Sequence, residues 1–223
     1  MDYFPHMKNL QTTDNLKYER QLWQEGFTCI MGLDEVGRGC LAGPVVAAGV
    51  ILKPGHTIEG VTDSKQIASH EKRTTIAKKI KEQAIAYVIK ECSPEEIDRH
   101  NILRASLLAM EKCVNASAVT PDFLFIDGNK FHAGLIPHKC IVKGDLYSAS
   151  IGAASILAKV YRDERMFQLH ELYPFYGWDS NVGYPTLKHY AGLASHGISP
   201  IHRRSFKLKT SLILKTDNHD NIA

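Results

Sequence analysis

The chain has 223 residues, 44% of them hydrophobic and 23% charged, with a net charge of +3. That balance describes a folded globular protein and excludes a disordered chain. The length suits one large domain, or one domain plus a small appendage. No apolar run approaches the roughly 18–20 residues needed to cross a membrane, and Met1 to Gly26 lacks the apolar centre of a signal peptide. The five cysteines are odd in number and widely spaced without a Cys-x-x-Cys pair, so they read as reduced thiols in a cytosol.

In chain order, residues 1–26 read as an N-terminal extension with a short helix around Asn15 to Trp23. Cys29–Leu33 and Pro44–Leu52 are expected strands, joined by the glycine-rich Gly37-Arg38-Gly39-Cys40-Leu41-Ala42-Gly43 in a hairpin-like connection. Ser69 can cap a helix carrying Ile76, Ile80 and Ala84 on one face. Strand character returns at Ala86–Lys90. Ser93-Pro94-Glu95-Glu96 is a capping-box start for a helix through Ile102, Leu103, Leu107, Met110 and Val114.

Asp122–Ile126 and His138–Val142 are two further short strands. Ser148 to about Leu172 reads as one long helix, and Thr186–His196 as another, stopped by Gly197. Early strand pairing followed by strand–helix alternation implies an α/β fold with a mixed central sheet flanked by helices, plus a small helical C-terminal part. The expected divisions are 1–26 (extension), 27–173 (catalytic domain) and 174–223 (basic, aromatic-rich substrate-binding part).

Carboxylates stand at three expected strand ends: Asp34 with Glu35, Asp127, and Asp145. A lone acid in such a place is commonly a turn former or cap. If the three ends lie together, however, four like charges share one cleft and require a cation between them. Mg²⁺ or Mn²⁺ suits all-oxygen ligands, and the 11 histidines show no zinc spacing. Two such ions about 3.5–4 Å apart are the known device for phosphodiester hydrolysis.

Gly37-Arg38-Gly39 is either a plain tight turn or a place where backbone comes close to a ligand, with Arg38 for phosphate. Tyr184, held between Gly183 and Pro185, is placed to stack on a sugar or base. Ser180 to Thr216 holds no acid but includes Lys188, Arg203, Arg204, Lys207, Lys209 and Lys215. A second basic stretch holds Lys65, Lys72, Arg73, Lys78, Lys79 and Lys81. Lys65, Lys143, Arg203 and Arg204 are the candidates for phosphate contact.

The run from Gly32 through Asp34-Glu35-Val36-Gly37-Arg38-Gly39 to Val45 closely resembles the opening motif of type 2 ribonucleases H (ribonuclease HII). Thr62-Asp63-Ser64-Lys65, Ile126-Asp127-Gly128-Asn129, Val142-Lys143-Gly144-Asp145, Ala154 to Asp163, Gly183-Tyr184-Pro185-Thr186 and His202 to Phe206 match in the same order. The resemblance spans roughly residues 28 to 207, and Cys40 stands where many members have proline. It implies a ribonuclease H-like fold with Asp34, Glu35, Asp127 and Asp145 as catalytic residues holding Mg²⁺ or Mn²⁺. It also implies that Gly37-Arg38-Gly39 contacts the ribose 2′-OH and that Tyr184 senses the RNA–DNA junction. The implied substrates are RNA–DNA hybrids and DNA duplexes containing single ribonucleotides. They are cut on the 5′ side of the ribonucleotide to leave 3′-hydroxyl and 5′-phosphate ends. A cytoplasmic location is expected from the cysteines, and a monomer is the default expectation.

Three rivals fit the residues less well. A junction resolvase needs no 2′-OH reader, a non-catalytic binding module would repel phosphate with its acids, and a small-molecule phosphatase leaves the basic segment unused.

Overall fold

The computed structural model describes residues 14–61, 67, 69–131 and 134–209. Lys65, with the rest of its motif, lies outside these residues.

Helix α1 (Lys17–Gln24) precedes strands β1 (Ile30–Val36) and β2 (Val45–Ile51), then α2 (His70–Gln83) and β3 (Ala86–Cys92). Next come α3 (Pro94–His100), α4 (Ile102–Asn115), β4 (Phe123–Asp127) and β5 (His138–Ile141). The chain continues through a 3-10 turn at Gly144–Leu146 into α5 (Ala149–Leu172) and closes with α6 (Trp178–Asn181) and α7 (Leu187–His196).

The strands form one mixed sheet in the order β3-β2-β1-β4-β5. The β1–β2 and β2–β3 pairs are antiparallel, whereas β1–β4 and β4–β5 are parallel. Every residue of β2 is buried, because helices cover both faces of the sheet. Val46, Ala48 and Val50 face the side of α5 and α2, while Val45, Ala47 and Ile51 face that of α3 and α4.

Local sequence explains most of the element ends. Ser69, Ser148 and Thr186 each accept a backbone N–H at the start of their helices. The capping box is complete: the Glu96 amide donates to Ser93 Oγ at 3.3 Å, and the Ser93 amide to Glu96 Oε2 at 2.8 Å. The helix expected to continue from there is two helices. Asn101 adopts φ 64°, a conformation that asparagine tolerates, and its side chain caps α4 by accepting from Arg104 N at 3.1 Å.

Helix α1 belongs to the core rather than to an appendage. Leu22 packs with Ile30, Phe125, Ile141 and Ile151. Glu19, 2% exposed, accepts from Ser148 Oγ at 2.6 Å and from the amide and hydroxyl of Ser150 at 3.1 and 2.9 Å. It therefore sits at the positive N-terminal end of α5.

That end of α5 lies close against the sheet because residue 32 is glycine. A Cβ there would fall 2.2 Å from the Ser150 carbonyl carbon. At the C-terminal side, Trp178, Tyr176, Tyr190 and Leu193 pack with Leu41, Ala42 and Met166, so this part docks on α5 and on the β1–β2 connection. Among the described residues, no helix is long and apolar enough to cross a membrane.

Candidate active site and its family

Strand β1 runs on past its apolar run, which ends at Leu33, to Val36, so Asp34 and Glu35 lie within the strand. The parallel register ends at Leu33–Ile126, and the next residues on the two strands are Asp34 and Asp127. Gly32, Asp34 and Val36 face α5, where the Asp34 carboxylate also meets the Ser155 hydroxyl. Glu35, 12% exposed at its side chain, pairs with Arg38 Nη1 at 3.1 Å.

Together Asp34, Glu35, Asp127, Ser155, Lys159, Arg73 and Tyr184 line one open cleft of about 360 Å³. Asp145 is buried one step away, in the 3-10 turn after β5. The amide of the preceding Gly144 donates to Asp127 Oδ1 at 2.7 Å, which ties that turn to the end of β4.

The electrostatics follow from this crowding. Burial first, then the charges of Asp127 and Glu35, push the Asp34 carboxyl well above the usual carboxylate range, against hydrogen bonds from Ser155 and the Glu35 amide. Burial and the charge of Asp127 also raise Glu35, opposed by Arg38. Among the described residues, no three acids, histidines or cysteines close into a ready-made metal cage. The acids sense one another across an open cleft instead.

The basic residues divide sharply, and the expectation for Arg203 needs correction. Arg203 is 2% exposed, and its guanidinium is committed to backbone carbonyls. Its Nε bonds Gly43 O at 3.0 Å, Nη1 bonds Arg38 O at 3.1 Å, and Nη2 bonds Gly37 O at 2.7 Å and Pro44 O at 3.2 Å. It cannot also reach phosphate.

Arg204 is exposed and Lys143 is exposed on a left-handed turn, but neither lines the cleft. The cations that do line it, Lys159 and Arg73, were not singled out from the sequence. Both are steered by buried Asp163, at 2.7 and 3.6 Å. The signal for Lys159 was the spacing Ser155, Lys159, Asp163, which puts three polar groups on one face of α5, whereas Arg73 on α2 has no such local signal.

The Gly37–Gly39 loop is held rigidly from below. Gly37 has φ 96°, and a Cβ would fall 2.1 Å from Nε of the buried Arg162. Arg162 itself bonds the carbonyls of Ala42, Pro44 and Val182. Tyr184, 40% exposed, has its ring beside Gly39 and its hydroxyl hydrogen-bonded to the Cys40 thiol. Cys40 thus links the loop to Tyr184.

A family model described as Ribonuclease HII matches residues 31–209. The chain belongs to the ribonuclease HII family. A ribonuclease HII of Salinibacter ruber is 50% identical over 197 residues, covering 86% of this chain and 98% of that one. One from Dechloromonas aromatica is 52% identical over 181 residues, covering 81% and 91%.

Among solved structures, ribonuclease H2 of Pyrococcus horikoshii aligns with TM-score 0.70 at 23% identity, covering 84% of this chain and 98% of that one. Bst ribonuclease HIII in complex with Mn²⁺ aligns with TM-score 0.66 at 21% identity, covering 86% and 71%. These likenesses show that the mixed sheet with helices on both faces is the ribonuclease H-like fold. As a ribonuclease HII, the chain is a ribonuclease H, an endonuclease acting on nucleic acid.

Proposed function

We propose that this ribonuclease HII cuts the RNA strand of RNA–DNA hybrids and nicks duplex DNA on the 5′ side of single embedded ribonucleotides. The observation that carries this reading is the buried Asp34 carboxyl, crowded by Asp127 and Glu35 at the edge of an open cleft. Such a group stays ionised only beside a cation.

The donor set fits divalent metal: Asp34, Glu35, Asp127 and Asp145 offer hard oxygen ligands, and the open arrangement suits Mg²⁺ or Mn²⁺, which take only one or two carboxylates and fill the rest with water and substrate phosphate. When bound, a pair of such ions activates water and stabilises charge on the phosphate and the leaving oxygen, giving 3′-hydroxyl and 5′-phosphate ends. The Mn²⁺ in the Bst ribonuclease HIII structure supports the same choice of ion.

The chain's own groups do the rest. Ser155 and the Glu35 amide hold the Asp34 carboxylate in one orientation. The Gly144 amide does the same for Asp127. Lys159 and Arg73, fixed by Asp163, present positive charge to the scissile strand's phosphates.

Gly37-Arg38-Gly39 offers backbone polar groups to the ribose 2′-OH, the feature that separates RNA from DNA at one position. Its carbonyls at Gly37 and Arg38 are pinned by Arg203, so the reader is rigid. Tyr184 stacks on the neighbouring deoxyribose. Arg204 and Lys143 remain available to distant phosphates. The five free cysteines suit a protein working in a reducing cytosol.

The test uses Mg²⁺ and a DNA duplex carrying one ribonucleotide beside an all-DNA duplex. A single nick 5′ of the ribonucleotide is expected, with the all-DNA duplex intact. Equal cutting of both would remove the 2′-OH from the reading.

A further inference from the structure

Beneath Tyr184 runs a buried polar chain that no step above uses. His189 and His202, 0% and 3% exposed, face one another with their Nε2 atoms 3.0 Å apart. The Ser199 amide lies 2.9 Å from His202 Nδ1. An amide N–H can only donate, so this Nδ1 is an acceptor and carries no proton. A neutral His202 then bears its proton on Nε2 and donates it to His189.

The indole N–H of Trp178, another pure donor, points at the same His189 Nε2 from 3.2 Å. His189 therefore holds its proton on Nδ1, which lies 2.9 Å from the Tyr184 carbonyl oxygen, a pure acceptor. The Ser199 hydroxyl, 2.8 Å from the same His202 Nδ1, could donate or accept, but the amide beside it can only donate, so the amide, the indole and the carbonyl together set both tautomers.

A charged ring does not fit. An added proton on His202 Nδ1 would face the Ser199 N–H and cost that bond even if the Ser199 hydroxyl, which already accepts from the Ile201 amide at 3.2 Å, turned to receive it. One on His189 Nε2 would face two donors. The rings of Tyr176 and Trp178 pack on the pair and exclude water. Burial accordingly lowers both histidines, His202 to about 4.

The neighbour of His202 completes the pattern. The backbone of residues 202–203 pairs with the β1–β2 connection, through a bridge from His202 to Ala42 and the Arg203 amide bonding Leu41 O at 2.9 Å. From there Arg203 reaches the carbonyls of Gly37 and Arg38. His202 reaches the Tyr184 carbonyl through His189. Two consecutive residues thus hold the two halves of the substrate reader, one on each side.

We propose that His189 and His202 are positioning residues, a neutral, tautomer-locked relay that fixes Tyr184 relative to the Gly37–Gly39 loop and so sets discrimination at an embedded ribonucleotide. The functional half rests on the proposed role of Tyr184. The relay itself rests on the hydrogen-bond directions alone.

The test combines ¹⁵N NMR of the histidines in the full-length protein with cleavage of two substrates in Mg²⁺. At pH 7 the proton should sit on Nδ1 of His189 and Nε2 of His202; the opposite tautomer or a charged ring at either position overturns the relay. His189→Leu should lower cleavage at a single embedded ribonucleotide by about tenfold relative to cleavage within a long RNA tract, the worth of one buried hydrogen bond. His189→Asn, whose side-chain amide can donate from near the Nδ1 position, should restore the wild-type ratio.

Tyr184→Ala is the control. If it lowers the ratio while a folded His189→Leu does not, the relay is not a positioning device and the proposal fails. If Tyr184→Ala leaves the ratio unchanged, the role given to Tyr184 falls, and the relay is decided by the NMR result. Should His189→Leu not fold, the Asn variant and the wild-type spectra still decide.

Discussion

Arg203 Nη2 lies 2.7 Å from the carbonyl oxygen of Gly37. A residue from the far end of the chain is thereby built into the loop that follows the paired carboxylates, and its positive charge is spent inside the protein. Arg203→Ala would strip donors from the carbonyls of Gly37, Arg38, Gly43 and Pro44. We expect a loss of about 3–4 kcal/mol in urea unfolding. Arg203→Lys should recover little, because one ammonium cannot copy the planar fork. A loss under about 1 kcal/mol would show that these carbonyls find other donors.

Salt dependence separates the two neighbouring arginines. Arg204 is exposed, with only its backbone amide held, by Asp98 Oδ2 at 2.9 Å. If Arg204 meets phosphate, Arg204→Ala lowers the log–log slope of hybrid binding against salt by about 0.9. Arg203→Lys should leave the slope unchanged. A slope that moves with Arg203 and not with Arg204 would reverse these assignments.

Acid stability should report on His202. Its pKa falls from 6.5 to about 4 on folding, chiefly through burial, with the nearby His189 adding to the shift. Between those values the unfolded chain takes up a proton that the folded chain refuses, so this group's contribution weakens as pH drops from 6.5 towards 4. At and above pH 7 it has no effect, since both states are neutral. The difference in melting temperature between wild type and His202→Gln should therefore change across pH 6.5 to 5 and stay flat from 7 to 8. A flat difference throughout would mean that His202 is solvated.

The acidic cleft should cost stability when no metal is bound. The Asp34 carboxyl has its folded pKa raised, so its contribution is present below about pH 4 and is lost as pH rises through the folded value. At pH 7 in EDTA, Asp34→Asn should be more stable than wild type, on the order of 1–2 kcal/mol. Added Mn²⁺ should raise the melting temperature of wild type more than that of the variant. A less stable metal-free variant would show that Asp34 is a structural hydrogen-bonding group.

Tyr184 and Cys40 form a second contact that can be separated by mutation. Tyr184→Ala should slow cleavage at a single embedded ribonucleotide more than cleavage of a long RNA tract. Tyr184→Phe keeps the ring and loses only the hydroxyl's bond to Cys40. Cys40→Ala loses the same bond from the other side, so the two variants and their combination should give similar rates. Additive losses would mean that the hydroxyl and the thiol act separately.

Sequence pattern revealed the strands, the long α5, the capped starts of α2 and α3, and the glycine stop of α7, because each has a local physical signal. The split at Asn101 was not legible, since one asparagine both breaks α3 and caps α4. The end of β1 was misjudged because Asp34 and Glu35 look like the end of an apolar strand, while their burial depends on Ser155 of α5, far along the chain. Arg203 was read as a surface cation for a similar reason. Nothing near it in sequence shows that four carbonyls wait for it. Lys159 and Arg73 were hidden among other basic residues, and only the fold brings both to Asp163 and the cleft.

The most direct test is the rate of RNA–DNA hybrid cleavage in Mg²⁺ by wild type and Asp34→Asn, with hybrid affinity measured on the same samples. The substitution keeps the shape of the side chain and removes one charged oxygen ligand, and metal charge stabilisation is worth several kcal/mol to the transition state. Cleavage should fall by at least about a thousandfold. Affinity should stay within about threefold, because phosphate contacts supply most of it. Near-normal cleavage by Asp34→Asn would contradict the carboxylate cleft as the site of the reaction.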